Sequence, residues 1–79
     1  LLQVISLKSE DGARDEGTRL RTAFAEQLAH YDTSIQKADV AGLGTVWRVR
    51  FGPFATVSKA RDTCSALKDL GQDCIVVQQ

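Results

Sequence analysis

The sequence has few of the residues on which catalysis and metal binding usually depend. Its 79 residues include two cysteines and a single histidine, His30, so there is no second histidine to complete a metal site with it. No nucleophile paired with a base and no glycine-rich phosphate-binding loop is visible. The sequence therefore predicts a domain that is not an enzyme and that uses no metal or other cofactor.

An excess of charge of one sign is also lacking. Ten basic and ten acidic side chains give a formal net charge of zero. Because non-specific binding to nucleic acid and to anionic membranes depends on a basic excess, this balance argues against both kinds of partner.

Long hydrophobic runs and a signal peptide are missing as well. The chain begins without methionine and directly in a strand-like segment, so we expect a domain excised from a longer protein. Any contact with a membrane is then expected from other parts of that protein.

The length limits the architecture. A chain of this size buries only about 60% of its unfolded surface, so its core is marginal. We expect one domain, residues 1–79, in which one layer of helices covers one sheet.

The most informative stretch is a strand that runs into a turn and a helix. Residues 45–51 alternate between bulky apolar side chains and the set Val46, Arg48 and Arg50, which is the period of a strand with one buried face. A Gly-Pro pair ends this strand, since proline has no N–H for the ladder. Helical spacing then continues to Gly71, the predicted left-handed residue after the helix.

Two helices are predicted from stripes of small or apolar residues. The first, capped by Ser9 or Asp11, has the stripe Gly17, Leu20, Phe24, Leu28 and Tyr31. The second, capped by Thr56, has the stripe Ala60, Cys64, Leu67 and Leu70.

The remaining segments complete a simple order of elements. Strands are predicted at residues 1–7, at 34–40 as a charged edge strand, and at 73–79. The order β-α-β-β-α-β predicts an α+β, ferredoxin-like fold, in which two helices pack on one face of a four-stranded antiparallel sheet. Right-handed crossovers place the first and third strands in its centre.

Helices on one face leave the other face of the sheet open. Alternation assigns seven positions to this open face: Gln3, Ile5, Val46, Arg48, Arg50, Ile75 and Val77. An apolar stripe beside an amide and two guanidinium groups is more typical of a binding surface than of a plain solvent face. The alternative is a solvent face that is less polar than average, or one covered by chain outside this sequence.

The chemistry of this face favours one class of ligand. RNA-binding sheets stack bases on aromatic side chains, and none is predicted here. Aliphatic side chains suit the C–H faces of a sugar, while an amide and arginines suit its acetamides, hydroxyls and carboxylates.

The segment WRVRFGPFATVSKARDTCSALKDLGQDCIVV resembles the SPOR (sporulation-related repeat) domain, with its aromatic-Arg-Val strand, Gly-Pro-Phe turn and capped helix. The opening LLQVISL resembles the first strand of that family, with Gln3 at its characteristic glutamine. The resemblance implies a non-catalytic module of the bacterial cell envelope, in the periplasm, with the same fold. It also implies binding to peptidoglycan glycan strands that lack stem peptides, and targeting of the parent protein to the division septum. The contacts it implies are Gln3, Ile5 and Ser6 and the outward side of the third strand.

A selectivity mechanism follows as a hypothesis. Removing a stem peptide leaves the lactyl carboxylate of muramic acid free, and Arg48 or Arg50 could pair with that charge. The alternative for each arginine is a structural role as the cross-strand partner of a carboxylate.

Cys64 and Cys74 are the two cysteines, the first on the helical stripe and the second at the start of the last strand. They could meet if Cys74 points inwards, and an oxidising periplasm would favour a disulfide. The alternative is two buried thiols that act as small hydrophobic side chains.

Two other classes of function remain open at this point. One is a protein-interaction module that uses the open face or the edge strand at residues 34–40. The other is a regulatory domain that binds a small molecule at a dimer interface. For the glycan-binding module we expect a monomer.

Overall fold

The computed structural model of the chain describes residues 1–77 and contains four strands and three helices. The strands are β1 (Leu2–Leu7), β2 (Asp32–Val40), β3 (Gly44–Gly52) and β4 (Ile75–Val76). The helices are α1 (Glu10–Ala23), α2 (Ala25–Leu28) and α3 (Val57–Asp69). The sheet has the order β2-β3-β1-β4, with every neighbouring pair antiparallel, which confirms the α+β fold and the central position of the first and third strands.

The first helical stripe is divided between two helices, where the sequence predicted one. Ser9 caps α1, since its hydroxyl accepts a hydrogen bond from the Gly12 N–H at 3.1 Å. The break lies at Phe24, whose backbone leaves the helical region at φ −117° and ψ 48°. Leu20 before the break and Leu28 after it are both fully buried. The apolar spacing therefore continues through the break and does not reveal it.

The second predicted helix, α3, is confirmed with one correction. Thr56 caps it by accepting from the Lys59 N–H at 3.0 Å, and Gly71 follows it with a positive φ of 93°. The residues it buries are Ala60, Thr63, Cys64 and Leu67. Leu70, predicted on the same stripe, is 56% exposed, because it is the terminal cap residue where the helical backbone ends.

The last strand is much shorter than predicted. The prediction covered residues 73–79, of which 78 and 79 lie outside the described residues, and β4 itself pairs only Ile75 with Gln3 and Val76 with Leu2. One step earlier, the Cys74 N–H donates instead to Asp73 Oδ1 at 3.0 Å. Because this N–H bonds to a side chain and not to β1, the ladder of backbone hydrogen bonds between β1 and β4 does not extend to Cys74.

The core lies between the sheet and the helices. Leu2, Val49 and Phe51 from the two central strands are fully buried against helical residues such as Leu20 and Leu67. The opposite face of the sheet carries no helix within the described residues, so the predicted open face exists.

Helix α1 approaches the sheet so closely that its residue 17 has no room for a side chain. A Cβ atom at Gly17 would lie 2.8 Å from Thr33 Cγ2 in β2 and 3.5 Å from Val49 Cγ1 in β3. The first distance is shorter than van der Waals contact permits. This glycine therefore serves close packing between helix and sheet.

We expect Gly17→Ala to lower the free energy of unfolding by about 1–2 kcal/mol, because the clash outweighs the gain of about 1 kcal/mol that alanine brings to a helix interior. Urea unfolding checks this. Thr33→Ser removes the clashing methyl group, so in that background the same change is expected to be neutral or stabilising. Equal destabilisation in both backgrounds would contradict the packing argument.

Candidate functional site

One row of side chains crosses the open face through all four strands. The register pairs Ser34 of β2 with Arg50 of β3, Arg50 with Gln3 of β1, and Gln3 with Ile75 of β4. Directly paired residues in a sheet place their side chains on the same face. The side chains of these four residues therefore form a continuous line, which we call the first row: Ser34, Arg50, Gln3 and Ile75.

A second, shorter row lies beside it. The register pairs Gln36 of β2 with Arg48 of β3, and Arg48 with Ser6 of β1. Ser6 and Gln36 are exposed and Arg48 is half-buried. The two rows place Arg48 and Arg50 two residues apart on one strand, with polar neighbours on both sides.

Ile5 does not lie on this face, so the outward position that alternation predicted for it is wrong. The pairing of β1 with β3 shifts between Gln3 and Ile5, so that Ile5 lies opposite Val49 and packs against the core. This β-bulge at Val4 adds one residue to β1 and turns Ile5 inwards with Val4. Ser6 consequently takes the outward position that simple alternation assigns to Ile5.

Val46 is on the expected side of β3 but is only 6% exposed, so it cannot offer a contact surface. It pairs with Ala38 of β2 near the hairpin end of the sheet. At the same end, the Lys8 ammonium group donates to the carbonyl oxygen of Leu43 in the hairpin. Val46 therefore adds little to the exposed surface at this end of the face.

The open face is consequently more polar than predicted. Ile75 is 53% exposed and Val77, the last described residue, is half-buried, so these two supply its aliphatic surface. Ser34 and Gln36 were missed because the prediction used only strands one, three and four. A signal was present, since a hairpin between β2 and β3 puts alternate residues of β2 beside the arginines.

Gln3 and Arg50 are joined across the two central strands. The Nε and Nη2 groups of Arg50 both donate to Gln3 Oε1, at 3.2 and 3.0 Å. The partner is thus an amide, where the structural alternative for the arginines had proposed a carboxylate. Burial, followed by the nearby charge of Arg48, lowers the pKa of Arg50 from its ordinary value.

Neither arginine of the open face is neutralised by an acidic side chain. In the part of the chain that the structure describes, the ion pairs join Arg14 to Glu10 and Arg19 to Glu16, both on α1. A groove of about 450 Å³ runs beside Arg50. It is lined by Leu1, Asp32, Ser34, Ile35, Gln36, Arg50, Gly52 and Pro53. Arg50 borders this groove together with the acidic Asp32, while Arg48 lies on the same face outside the groove. The two cations of the open face suit an anionic ligand.

Comparison with protein families gives one result. The model of the SPOR domain family matches residues 1–78. The chain belongs to the SPOR domain family. Searches of curated proteins and of solved structures return no significant match.

SPOR domains are peptidoglycan-binding modules of cell-envelope proteins, and the family is one of binding domains rather than enzymes. Residues 1–77 hold no group of three or more histidine, cysteine or acidic side chains placed to bind a metal ion. No helix within this range is long and apolar enough to cross a membrane.

This SPOR domain contains a disulfide between Cys64 of α3 and Cys74, which immediately precedes β4. The Cα atoms are 5.8 Å apart, and both residues are buried. The bridge confirms the predicted pairing and fits an oxidising compartment. Because β4 has only two paired residues, the bridge also anchors Ile75 at the end of the first row.

Replacing both cysteines, as Cys64→Ala with Cys74→Ala, is expected to lower the free energy of unfolding by about 2–3 kcal/mol, since a loop of this length regains entropy in the unfolded chain. Urea unfolding measures the change, with Ser65→Ala, an exposed neighbour on α3, as the control. Titration of denatured, unreduced wild type should find no free thiol. Two free thiols, or an unchanged unfolding midpoint, would rule out a stabilising bridge.

Proposed function

We propose that the open face binds peptidoglycan glycan strands that lack stem peptides, and that this binding targets the parent protein to the division septum. The observation that carries the proposal is the pair Arg48 and Arg50 on the open face, with no carboxylate partner within the described residues. A stripped strand has a free lactyl carboxylate on each muramic acid, whereas an intact strand has that group blocked in an amide bond. Charge therefore favours the stripped strand.

Arg48 is the stronger candidate for the carboxylate. Arg50 already directs two of its N–H groups to Gln3, whereas Arg48 lies opposite the short side chain of Ser6. A guanidinium group can bind a carboxylate through two parallel hydrogen bonds. Arg48 can form such a pair without first losing a side-chain hydrogen bond of the kind that Arg50 makes to Gln3.

The rest of the face matches a saccharide. Ile75 gives an exposed aliphatic surface for the C–H face of a pyranose ring. Ser6, Ser34 and Gln36 are exposed and can donate to or accept from ring hydroxyl and acetamide groups. When the sugar rings lie directly on the strands, a peptide substituent that points towards the sheet conflicts sterically with it, which adds to the charge selectivity.

The septal and periplasmic location follows from the ligand. Stripped strands arise where amidases remove stem peptides, so a domain with this preference accumulates where such strands are concentrated. The buried Cys64–Cys74 bridge supports an oxidising compartment such as the periplasm.

Sedimentation with isolated sacculi tests the proposed preference. We expect the purified chain to pellet with sacculi, and the bound fraction to rise several-fold after amidase treatment, because more lactyl carboxylates are then free. Sacculi treated with heat-inactivated amidase are the control. A bound fraction that stays constant or falls after active amidase treatment would sink the preference for stripped strands.

The role of Arg48 is tested by combining a substitution in the protein with a chemical change in the ligand and comparing the two effects. Arg48→Ala is expected to weaken binding to soluble stripped glycan about tenfold, or about 1.4 kcal/mol, through loss of the charged contact. For glycan whose carboxylates have been reduced to alcohols, the same substitution should have little effect. Calorimetry measures both affinities, and Arg14→Ala on α1 is the control for a general loss of positive charge. An equal loss on both ligands would show that Arg48 does not pair with the carboxylate.

A further inference from the structure

We propose that Arg50 is a positioning residue that fixes the carboxamide of Gln3, so that the Nε2 amino group of Gln3 is turned to the ligand as a hydrogen-bond donor. This inference rests on the proposed function, because the donor matters only if the open face binds a ligand. Arg50 thereby determines which groups of a ligand the centre of the sheet can recognise.

The geometry of the pair determines the orientation of the amide. The Nε and Nη2 groups of Arg50 both point at the same atom, Gln3 Oε1, at 3.2 and 3.0 Å. If the amide were rotated by half a turn, its Nε2 group would face two N–H donors and could not bond to either. Both residues lie on the central strands of the sheet and are paired directly in the register. The contact is therefore held by the backbone ladder on both sides.

The environment of Arg50 makes the amide oxygen its natural partner. The guanidinium group is partly buried beside a second cation, Arg48, and both conditions lower its pKa. A nearby hydrogen-bond acceptor offsets both the cost of burying the guanidinium group and its repulsion by Arg48. Asp32 borders the same groove but makes no ion pair with Arg50 in the described part of the chain. Gln3 supplies the acceptor without cancelling the positive charge of the face.

The Arg50–Gln3 contact leaves a cluster of unused N–H donors at the centre of the open face. Gln3 keeps two N–H groups on Nε2, and Arg50 keeps three of its five N–H groups. Arg48 lies two residues from Arg50 on the same side of β3. No acceptor of Gln3 or of the two arginines faces outwards. The ligand class that fits is rich in acceptors and negatively charged, such as a sugar acid that also carries acetamide carbonyl groups.

Gln3→Glu separates the two functions of the Gln3 side chain. Glutamate has the same shape and still accepts from Arg50, so the fold and the cross-strand contact are retained. It replaces the two donors by an anionic oxygen. We expect the thermal midpoint to stay the same or rise, while the affinity for soluble stripped glycan falls at least tenfold.

Arg50→Lys tests the geometry of the contact separately from its charge. Lysine keeps the positive charge but cannot direct two fixed donors to one oxygen. We expect the affinity for stripped glycan to fall about threefold to tenfold. Arg61→Lys, the same substitution at an exposed arginine of α3 away from the open face, is the matched control and should leave the affinity unchanged.

Nuclear magnetic resonance of the free chain reads the position of the amide without any ligand. The Gln3 side-chain amide should have an order parameter close to that of rigid backbone, about 0.85, whereas exposed Gln36 should lie below about 0.6. In Arg50→Lys, the Gln3 value should fall towards that of Gln36, with the backbone order parameters unchanged. A merely structural contribution of Arg50 to stability would not produce this selective change.

The outcomes distinguish this inference from the proposed function. If wild type binds stripped glycan but Gln3→Glu binds equally well, or if the Gln3 amide is as mobile as that of Gln36, the positioning role of Arg50 is overturned and the glycan function stands. If wild type does not bind stripped glycan, the proposed function fails, and the role of Arg50 in ligand recognition fails with it. A rigid Gln3 amide in wild type together with the two affinity losses supports the inference.

Discussion

The pairing of β1 with β3 is the constraint on which the rest of this domain depends. These two strands form the centre of the sheet, and their register sets Gln3 opposite Arg50 and Ser6 opposite Arg48. In a sheet with one buried face, a shift of one residue moves every side chain to the other face. The bulge at Val4 makes such a shift within β1, so the core residues before it and the polar residue after it are both correctly placed.

The same pairing divides the domain into a marginal core and a polar face. Val49 and Phe51 are fully buried under the helices, while Arg48 and Arg50 on the same strand face the other way. A core of this size has little stability to spare, which explains the close approach of α1 at Gly17 and the covalent link between α3 and the start of β4. Packing and cross-linking on one side of the sheet thus allow two neighbouring cations on the other.

The sequence predicted those features that depend on local periodicity and capping. The alternation around Arg48, the Thr56 cap and the α+β topology are all expressed within short segments, and the structure confirms them. The inward turn of Ile5 was not predictable in this way, because a bulge inserts a residue without changing the apolar character of the strand. The contact between Gln3 and Arg50 joins residues that are 47 positions apart in the chain. It requires the register between β1 and β3, which local periodicity does not give.

The position of the first row has a consequence for how a polymer can lie on this domain. The row crosses four strands whose spacing is about 4.8 Å, so it spans about 14 Å from β2 to β4. Both ends of the row lie at open edges of the sheet, and among the described residues no helix rises above either edge on this side. A chain lying across the strands can continue past both edges. With the open face as the proposed glycan-binding surface, recognition would need no free chain end, and several copies of the domain could occupy one long strand side by side.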